Sequence, residues 1–536
     1  MRPVKRPPRG RTHDPGMTDG TPSGPGPALP TLVQALQRRL RATLLETHIS
    51  WVLLDGSHAW KIKKPVQLPF LDMRDLVTRG RLCHEELRLN RRLAPSLYLD
   101  VVPIHGTADA PSFDGPGPPI EYALRMRQFA AGALLSEQLA AGTLLPVHLD
   151  RLAQRLATFQ EDAAPAAADS PHGTPATIER EAMRVLDGLA PHIEAAARGA
   201  LRDWFAAQVP QLCPVWQRRH DAGRVREGHG DLHLANAVLL DDEVTAFDCL
   251  EFDPALRWID VYSDIGFLVM DLLAHGRGDL GFRFLNAWLG HSGDHAGISV
   301  LRWYLVYRAL VRALVAGIRS AQGAAPAGPD YVALAQRLAS GADARLLITH
   351  GLSGSGKSFV AQQWLQQAQA VGLRSDVERK RLFGLRALDA SAALVPGGIY
   401  GAEATRRTYA RLRELAATAL AAGYPVIVDA AFLRRAERES FRRLAEELQV
   451  PYTILHCQAP DEVLRQRVSA RSARRDDASE ADLAVLQAQQ AWLEVLTPAE
   501  QACAIVVDTT VPQAGEVLLA RWLAADRTAR PAAAAD

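Results

Sequence analysis

Eight consecutive residues, "GLSGSGKS" at 351–358, have the types and spacing to hold a phosphate chain. Gly351, Gly354 and Gly356, with Ser353 and Ser355 between them, let the backbone curl so that its amides point inward at an anion. Lys357 reaches the outer phosphates, and Ser358 offers a hydroxyl to Mg²⁺. The stretch "LLITH" before the loop reads as a strand, and "SFVAQQWL" after it as a helix whose N-terminus faces the anion. This is the chemistry of ATP or GTP binding. Downstream, Asp376 in "RSDVERKRL" can take an acceptor hydroxyl's proton or orient the magnesium; the plainer alternative is a helix cap. Asp429 ends "VIVDA", where an acid at the carboxyl end of a strand holds the metal's water shell or merely begins a turn. Arg467, Arg471, Arg474 and Arg475 recur at helical spacing, suited to closing over phosphates or to a solvated charged face.

A second constellation lies upstream, in "GHGDLHLANAVLLDDEVTAFDCLEFD" from Gly228 to Asp253. His229, Asp231 and His233 alternate, so a strand would turn all three to one side as a metal cluster, with Asp248 as a fourth ligand. A different reading follows from Asn236, five residues after Asp231, and from the strand–turn–strand "NAVLL", "DDE", "VTAFD" that delivers Asp248. Asp-x4-Asn, a hairpin and a second Asp is the spacing of a phosphotransfer loop. Asp231 then accepts the hydroxyl proton, while Asn236 and Asp248 hold Mg²⁺ against the phosphates. Such a site needs a cation for the phosphates and an acid to hold that cation. Lys61 and Lys63 fall on one face of a predicted strand, and Glu85 and Glu86 on the following helix. The order small, apolar, lysine in "AWK" favours Lys61, with Lys63 its rival. Leu93, seven residues beyond Glu86, favours Glu86 over Glu85. Ordinary surface charge is the alternative for all four.

Positioning these residues takes at least two frameworks, which a chain of 536 residues has length for. "ISWVLLDGSHAWKIKKPV" predicts a β-hairpin turning at Asp55-Gly56, and a long helix follows from Arg74. Strands "LYLDVVPIHG" and "EYALRMRQF" come next, then mostly helical sequence from His148 onward. Strands "YPVIVDA", "PYTILHC" and "CAIVVDT", separated by helical sequence, predict a parallel sheet covered on both faces. The expected organisation is a disordered leader at 1–29, a first domain at 30–320, a linker and connecting helix at 321–342, a second domain at 343–525 and a disordered tail at 526–536. Composition is that of a soluble protein, 48% hydrophobic and 23% charged. Lys and Arg number 61 against 60 Asp and Glu, which argues against a dedicated nucleic-acid surface. No apolar run is long enough to span a membrane. The five cysteines lack a CxxC pair, and the leader lacks the apolar core of a signal peptide, so a cytoplasmic location is expected.

Through "HGDLHLAN", "FDCLEFD" and "RWIDVYSDIGFLVMDL", residues 30–320 resemble the aminoglycoside-phosphotransferase and choline-kinase family. That resemblance implies a bilobal protein-kinase-like fold, with Asp231 as base, Asn236 and Asp248 as Mg²⁺ ligands, His229 packing and orienting, and Asp260 and Asp264 structural. The family's glycine-rich lid is reduced here to "LLDGSH". Residues from about 343 to 520 resemble the P-loop kinases of small metabolites, the gluconate-kinase and adenylate-kinase-like group, and more loosely the zeta-toxin and chloramphenicol-phosphotransferase group. The likeness rests on "GLSGSGKS", "RSDVERKRLFG", "VIVDAAFLRR" and "RQRVSARSARRDDASEADLAVLQAQ". It implies a P-loop NTPase fold with Arg467 and Arg471 on a lid and Asp376 on the acceptor side. The whole chain is similar to bifunctional aminoglycoside phosphotransferase/ATP-binding proteins, a group also called AAA family ATPases. The expectation is therefore a two-domain α+β and α/β enzyme using ATP and Mg²⁺ on a small hydroxylated metabolite. In the alternative, the N-terminal half is a non-catalytic sensing or scaffold module that regulates a C-terminal ATPase switch. Oligomeric state and acceptor identity are not legible in the sequence.

Overall fold

The computed structural model describes residues 29–68, 71–321, 328–391, 399–474, 477–511 and 514–524. The expected leader up to residue 28, most of the Ala/Gly/Pro linker, Arg475 and the expected tail lie outside the described residues. Two compact units emerge: residues 1–84 with 99–128, and residues 85–98 with 129–536.

In the first unit, α1 (Leu29–Leu40) repeats apolar residues at Leu29, Leu32, Val33 and Leu36, the spacing of one helical face. The strands are β1 (Thr43–Glu46), β2 (Ser50–Leu54), β3 (His58–Lys63), β4 (Tyr98–Gly106), β5 (Pro111–Ser112) and β6 (Glu121–Arg127), with α2 (Leu76–Asn90) between β3 and β4. They form one sheet in the order β1-β2-β3-β6-β4-β5, and the registered pairs are antiparallel. The predicted hairpin is present. Gly56 takes φ 96° at the turn, and the Asp55 carboxylate accepts from the amides of Ser57 and His58 and from the Trp60 indole. Trp60 and Ile62 join Trp51, Leu53, Leu32 and Leu36 in an apolar cluster. Strand alternation therefore sends Lys61 and Lys63 to the opposite face.

In the second unit, α3 (Pro146–Asp162), α4 (Ala195–Asp221), α5 (Val261–Ala274), α6 (Gly278–Ser292), α7 (Ile298–Ala321) and α8 (Tyr331–Ser340) accompany two short antiparallel pairs. β7 (Val225–Glu227) pairs with β10 (Trp258–Asp260), and β8 (Ala237–Leu240) pairs with β9 (Glu243–Ala246). Asp241 and Asp242 turn the second hairpin with φ 48° and 67°, the left-handed pair that a two-residue turn demands. α5 is apolar all round and buried from Val261 to Leu272, as a helix at the centre of a core must be.

The same unit contains a sheet of β11 (Leu346–His350), β12 (Val371–Arg374), β13 (Val426–Asp429), β14 (Tyr452–Gln458) and β15 (Ala504–Asp508), all parallel and ordered β12-β13-β11-β14-β15. It is flanked by α9 (Lys357–Gln367), α10 (Ser375–Leu382), α11 (Ala402–Ala421), α12 (Arg435–Glu447), α13 (Asp461–Arg474), α14 (Leu483–Trp492) and α15 (Ala514–Leu523). All five residues of β11 are buried, as parallel strands covered on both faces require. Alternate residues feed different cores. Leu347, Ile427, Leu455 and Ile505 pack with Trp364 and Trp522, whereas Leu346, Ile348, Val426 and Ile454 join the large core containing α5 and α7. This is the expected P-loop NTPase architecture. Its edge strand β12 meets α6: Asn286 accepts from the Gly372 amide at 2.7 Å and donates to the Ala370 carbonyl at 2.9 Å. Among the described residues, no helix is long and apolar enough to cross a membrane.

Candidate nucleotide and phosphotransfer sites

The loop at 351–358 joins the end of the central strand β11 to α9, so its amides gather at a helix N-terminus. Gly351, Gly354 and Gly356 take φ 142°, 82° and 83°, a region L side chains rarely enter. Space is equally restrictive. A Cβ would stand 2.5 Å from the Cys457 carbonyl oxygen at Gly351, 2.6 Å from that of Leu464 at Gly354 and 3.0 Å from Thr509 at Gly356. The Ser355 hydroxyl is buried with no hydrogen-bond partner among the described residues. A buried hydroxyl without a protein partner, on a glycine loop at a helix N-terminus, is one that a bound anion can satisfy. The residues present therefore fit a nucleotide's phosphates.

Lys357 donates to the Leu352 carbonyl at 2.9 Å, folding back on its own loop. Burial lowers its pKa, and the charges of Asp429, Cys457 and Asp376 oppose that shift. Both predicted acids are thus within electrostatic reach of the lysine. Asp429 ends β13 in register with Arg374, whose Nε lies 3.7 Å from its carboxylate and whose Nη2 donates to Asp477. Asp376 stands in the first turn of α10, which begins after Arg374 without a side-chain cap. It makes no hydrogen bond or ion pair among the described residues, so the capping alternative is not realised.

The two arginines are placed differently. Arg467 donates to the Gly354 carbonyl at 3.3 Å, to the Thr509 hydroxyl at 2.7 Å and to the Thr509 carbonyl at 2.9 Å, bracing the cradle from behind. Arg471 donates to the Ala481 carbonyl, while its Nε is buried without a partner among the described residues. Ser358 is exposed at the start of α9. Thr509, Asp477 and Gln489, whose side chain accepts from the Ser353 amide at 2.8 Å, were not singled out in the sequence. They arrive from distant segments and carry no local signal.

At the upstream constellation the backbone from Gly228 to His233 is not a strand, so strand alternation does not set the directions of the three side chains. His229 is fully buried, and its Nε2 lies 2.8 Å from the Phe247 carbonyl. His233 accepts the Ala235 amide on Nδ1, which directs Nε2 toward Asp231 at 3.4 Å. Asn236 donates to the Asp231 carboxylate at 2.9 Å and to its main-chain carbonyl at 3.0 Å. Burial pushes the Asp231 carboxyl up, but His233, His229 and Arg312 outweigh it and hold the group well below the usual range. Asp231 is therefore ionised at neutral pH, with about a third of its side chain accessible.

Asp248 follows β9 with φ 64°, a strained conformation for a residue other than glycine. The chain holds it there: its amide donates to the Tyr98 hydroxyl, and the next amide, of Cys249, donates to the Asn90 side chain. The loop's start is anchored by Asp264, which takes the His229 and Gly230 amides at 2.7 and 2.8 Å. Asp260 caps α5 and binds Arg219. Both acids are structural, as expected. Lys61 is half-buried on β3 and Lys63 buried, at 1% exposure. Glu86 is also buried, whereas Glu85 is engaged by Arg88 and Arg257. Asn236 and Asp248, like Ser358 and Asp429, offer oxygen donors alone, which suits Mg²⁺ shared with phosphates and water. Among the described residues, no group of three or more His, Cys, Asp and Glu is placed to hold a metal by itself.

Comparison with known proteins agrees with the C-terminal architecture. A family model described as an AAA domain matches residues 346–496. The uncharacterized protein Rv2004c of Mycobacterium tuberculosis (strain ATCC 25618 / H37Rv) is 30% identical over 453 residues, 83% of this chain and 89% of its own length. The uncharacterized protein Mb2027c of Mycobacterium bovis (strain ATCC BAA-935 / AF2122/97) matches with the same figures. The chain belongs to the family of these mycobacterial proteins. Among solved structures, an unliganded sugar kinase from Janibacter sp. HTCC2649 is 26% identical over 34% of this chain and 96% of its own, with a TM-score of 0.26. A gluconokinase from Sinorhizobium meliloti 1021 is 21% identical over 34% and 94%, with a TM-score of 0.25. The C-terminal part of this family member is thus an AAA-type P-loop domain of general nucleotide-binding character.

Proposed function

We propose that the chain is an ATP- and Mg²⁺-dependent phosphotransferase whose principal site is the cradle at 351–358 and whose acceptor is a small hydroxylated metabolite. One observation carries this reading: Asp429 and Asp376 stand at the carboxyl ends of the parallel strands β13 and β12, the same end of the sheet as the cradle that follows β11. Holding nucleotide needs only the cradle and the lysine. An acid without hydrogen-bond partners next to them is what transfer to a hydroxyl requires. In this reading Lys357 leaves the Leu352 carbonyl for the outer phosphates, and Asp376 orients the acceptor hydroxyl and receives its proton. Arg467 keeps Gly354 in place. Arg471 supplies charge from the segment that covers the loop. Mg²⁺, when bound, shields the phosphate charge, with Ser358 and Asp429 as its protein-side oxygens. Lys357→Ala, made in a chain already carrying Asp231→Asn, is expected to abolish ATP turnover; unchanged turnover in the purified variant rejects the reading.

A second phosphotransfer site in the N-terminal half is favoured by the Asp231–Asn236 pair and the strained Asp248. The aminoglycoside-phosphotransferase and choline-kinase likeness, with its bilobal kinase-like domain at 30–320 joined through 321–342 to a P-loop domain at 343–525, belongs to this reading. Lys61, with Lys63 its rival, is the phosphate-side lysine of this reading, and Glu86 is its acid. Asp231→Asn then removes one of two activities. If no product is lost, the N-terminal half is instead a sensing or scaffold module. The free cysteines go with a cytoplasmic setting.

A further inference from the structure

A cavity of about 800 Å³ lies within the second unit, and none of the residues of either constellation lines it. One wall comes from α4 and α7, the other from α8, the turn after it and the end of α11. Its volume falls in the range of small-molecule sites. Trp204 and Trp303 line it, and their rings stack at 6.3 Å with an interplanar angle of 30°. The Trp303 indole N–H is buried with no hydrogen-bond partner among the described residues.

The charge of the lining is one-sided. Arg218, Arg219, Arg224 and Arg302 contribute to it, against Asp294 as the sole acid. Arg219 binds both Asp260 and Asp294 and is already neutralised. That leaves three cations. Arg224 approaches Asp294 only at 4.0 Å, and that carboxylate is already bound by Arg219 at 2.8 Å. Arg302 donates to the carbonyls of Leu338, Ala422 and Gly423, which carry no net charge. Arg218 is exposed on α4, and its side chain has no hydrogen bond or ion pair among the described residues. Three guanidinium groups without a carboxylate of their own, in a lining that also holds Trp204 and Trp303, suit a multiply charged anion with a flat or apolar body.

We propose that this cavity binds a small organic phosphate, at a site separate from the 351–358 cradle and from Asp231. The inference does not depend on the phosphotransferase reading, since none of its residues serves either candidate reaction. Because the cavity's lining joins α4 and α7 to α8 and the end of α11, an occupant stabilises the packing of these helices by mass action.

The test uses the full chain with phenyl phosphate as probe and phenol as its uncharged control, read by calorimetry and by thermal unfolding. Saturable binding of phenyl phosphate but not phenol is expected, with a raised unfolding temperature. Replacing both Arg218 and Arg224 by Ala should weaken it at least about tenfold, and replacing both by Lys should restore part of it. Lys357→Ala should leave it unchanged. Absence of saturable binding at millimolar probe overturns the proposal. So does binding that ignores the arginine pair, and so does binding lost with Lys357→Ala, which would locate the anion in the cradle instead.

Discussion

Asn236 reaches Asp231 twice, its side-chain nitrogen lying 2.9 Å from the carboxylate and 3.0 Å from the main-chain oxygen of the same residue. One amide thereby fixes the acid's rotamer. Replacing Asn236 by Asp keeps the shape and sets a like charge beside Asp231, which raises the proton affinity of the pair. The acid limb of the N-terminal pH–rate profile, held low in the parent by His233, His229 and Arg312, should move to higher pH. Asn236→Ala should cost roughly 1–3 kcal/mol of stability by leaving buried groups unpaired, and it should abolish that activity. An unmoved acid limb in Asn236→Asp would show that Asp231 does not titrate in the reaction.

The cradle predicts a contrast between two glycines of the same conformation. Gly354 and Gly384 have φ 82° and 72°, but a Cβ at Gly354 meets the Leu464 carbonyl oxygen at 2.6 Å while one at Gly384 meets nothing within 4 Å. Gly384→Ala should cost about 1 kcal/mol for the backbone conformation and leave ATP affinity intact. Gly354→Ala must also displace backbone at the start of the cradle. It should lower C-terminal ATP affinity by at least about tenfold, measured by titration with a fluorescent nucleotide.

Much of this was legible in the sequence because it is local. The Asp55-Gly56 hairpin, the eight-residue cradle and the strand–turn–strand before Asp248 each declare themselves within a dozen residues. Period-two alternation in Trp60, Lys61, Ile62 and Lys63 was enough to put both lysines on one face. What escaped was whatever depends on distant segments meeting. Thr509 and Gln489 complete the cradle from more than a hundred residues away, and Arg312 faces His233 across 79 positions. The alternation of His229, Asp231 and His233, which would have marked a metal cluster on a strand, is not strand alternation at all, since Asp264 captures the amides that a strand would have used for pairing.

The meeting of α6 with β12 rests on one side chain, and that gives a prediction about coupling. Asn286 satisfies the Gly372 amide and the Ala370 carbonyl on an edge strand whose far end leads through Arg374 into Asp376. Asn286→Ala should leave two backbone groups without partners and cost about 1–3 kcal/mol. If Asp376 serves the acceptor, its displacement should raise the acceptor KM while ATP affinity stays constant. Equal losses in both would mean that the strand supports the cradle as a whole.

Two buried histidines set the last expectation, the response to acid. His295 is pushed down to about 4 by burial, with Arg381 and Arg411 adding to the shift and Asp294 opposing it, and Glu378 lies 3.8 Å away. His350 is likewise held near 4, by burial and by His456, and its Nδ1 lies 3.0 Å from the Phe432 carbonyl. Each is neutral when folded, but takes up a proton near pH 6.5 once unfolded. Between those values the unfolded chain binds more protons, so stability is greatest above about pH 6.5 and falls as the pH drops toward 4. The loss should reach on the order of 3 kcal/mol per histidine across the window. His295→Gln should flatten the dependence of the urea midpoint on pH between 7 and 5, whatever it does to the midpoint itself. A slope identical to the parent's would mean that His295 is protonated in the folded chain, with Glu378 as its counter-ion.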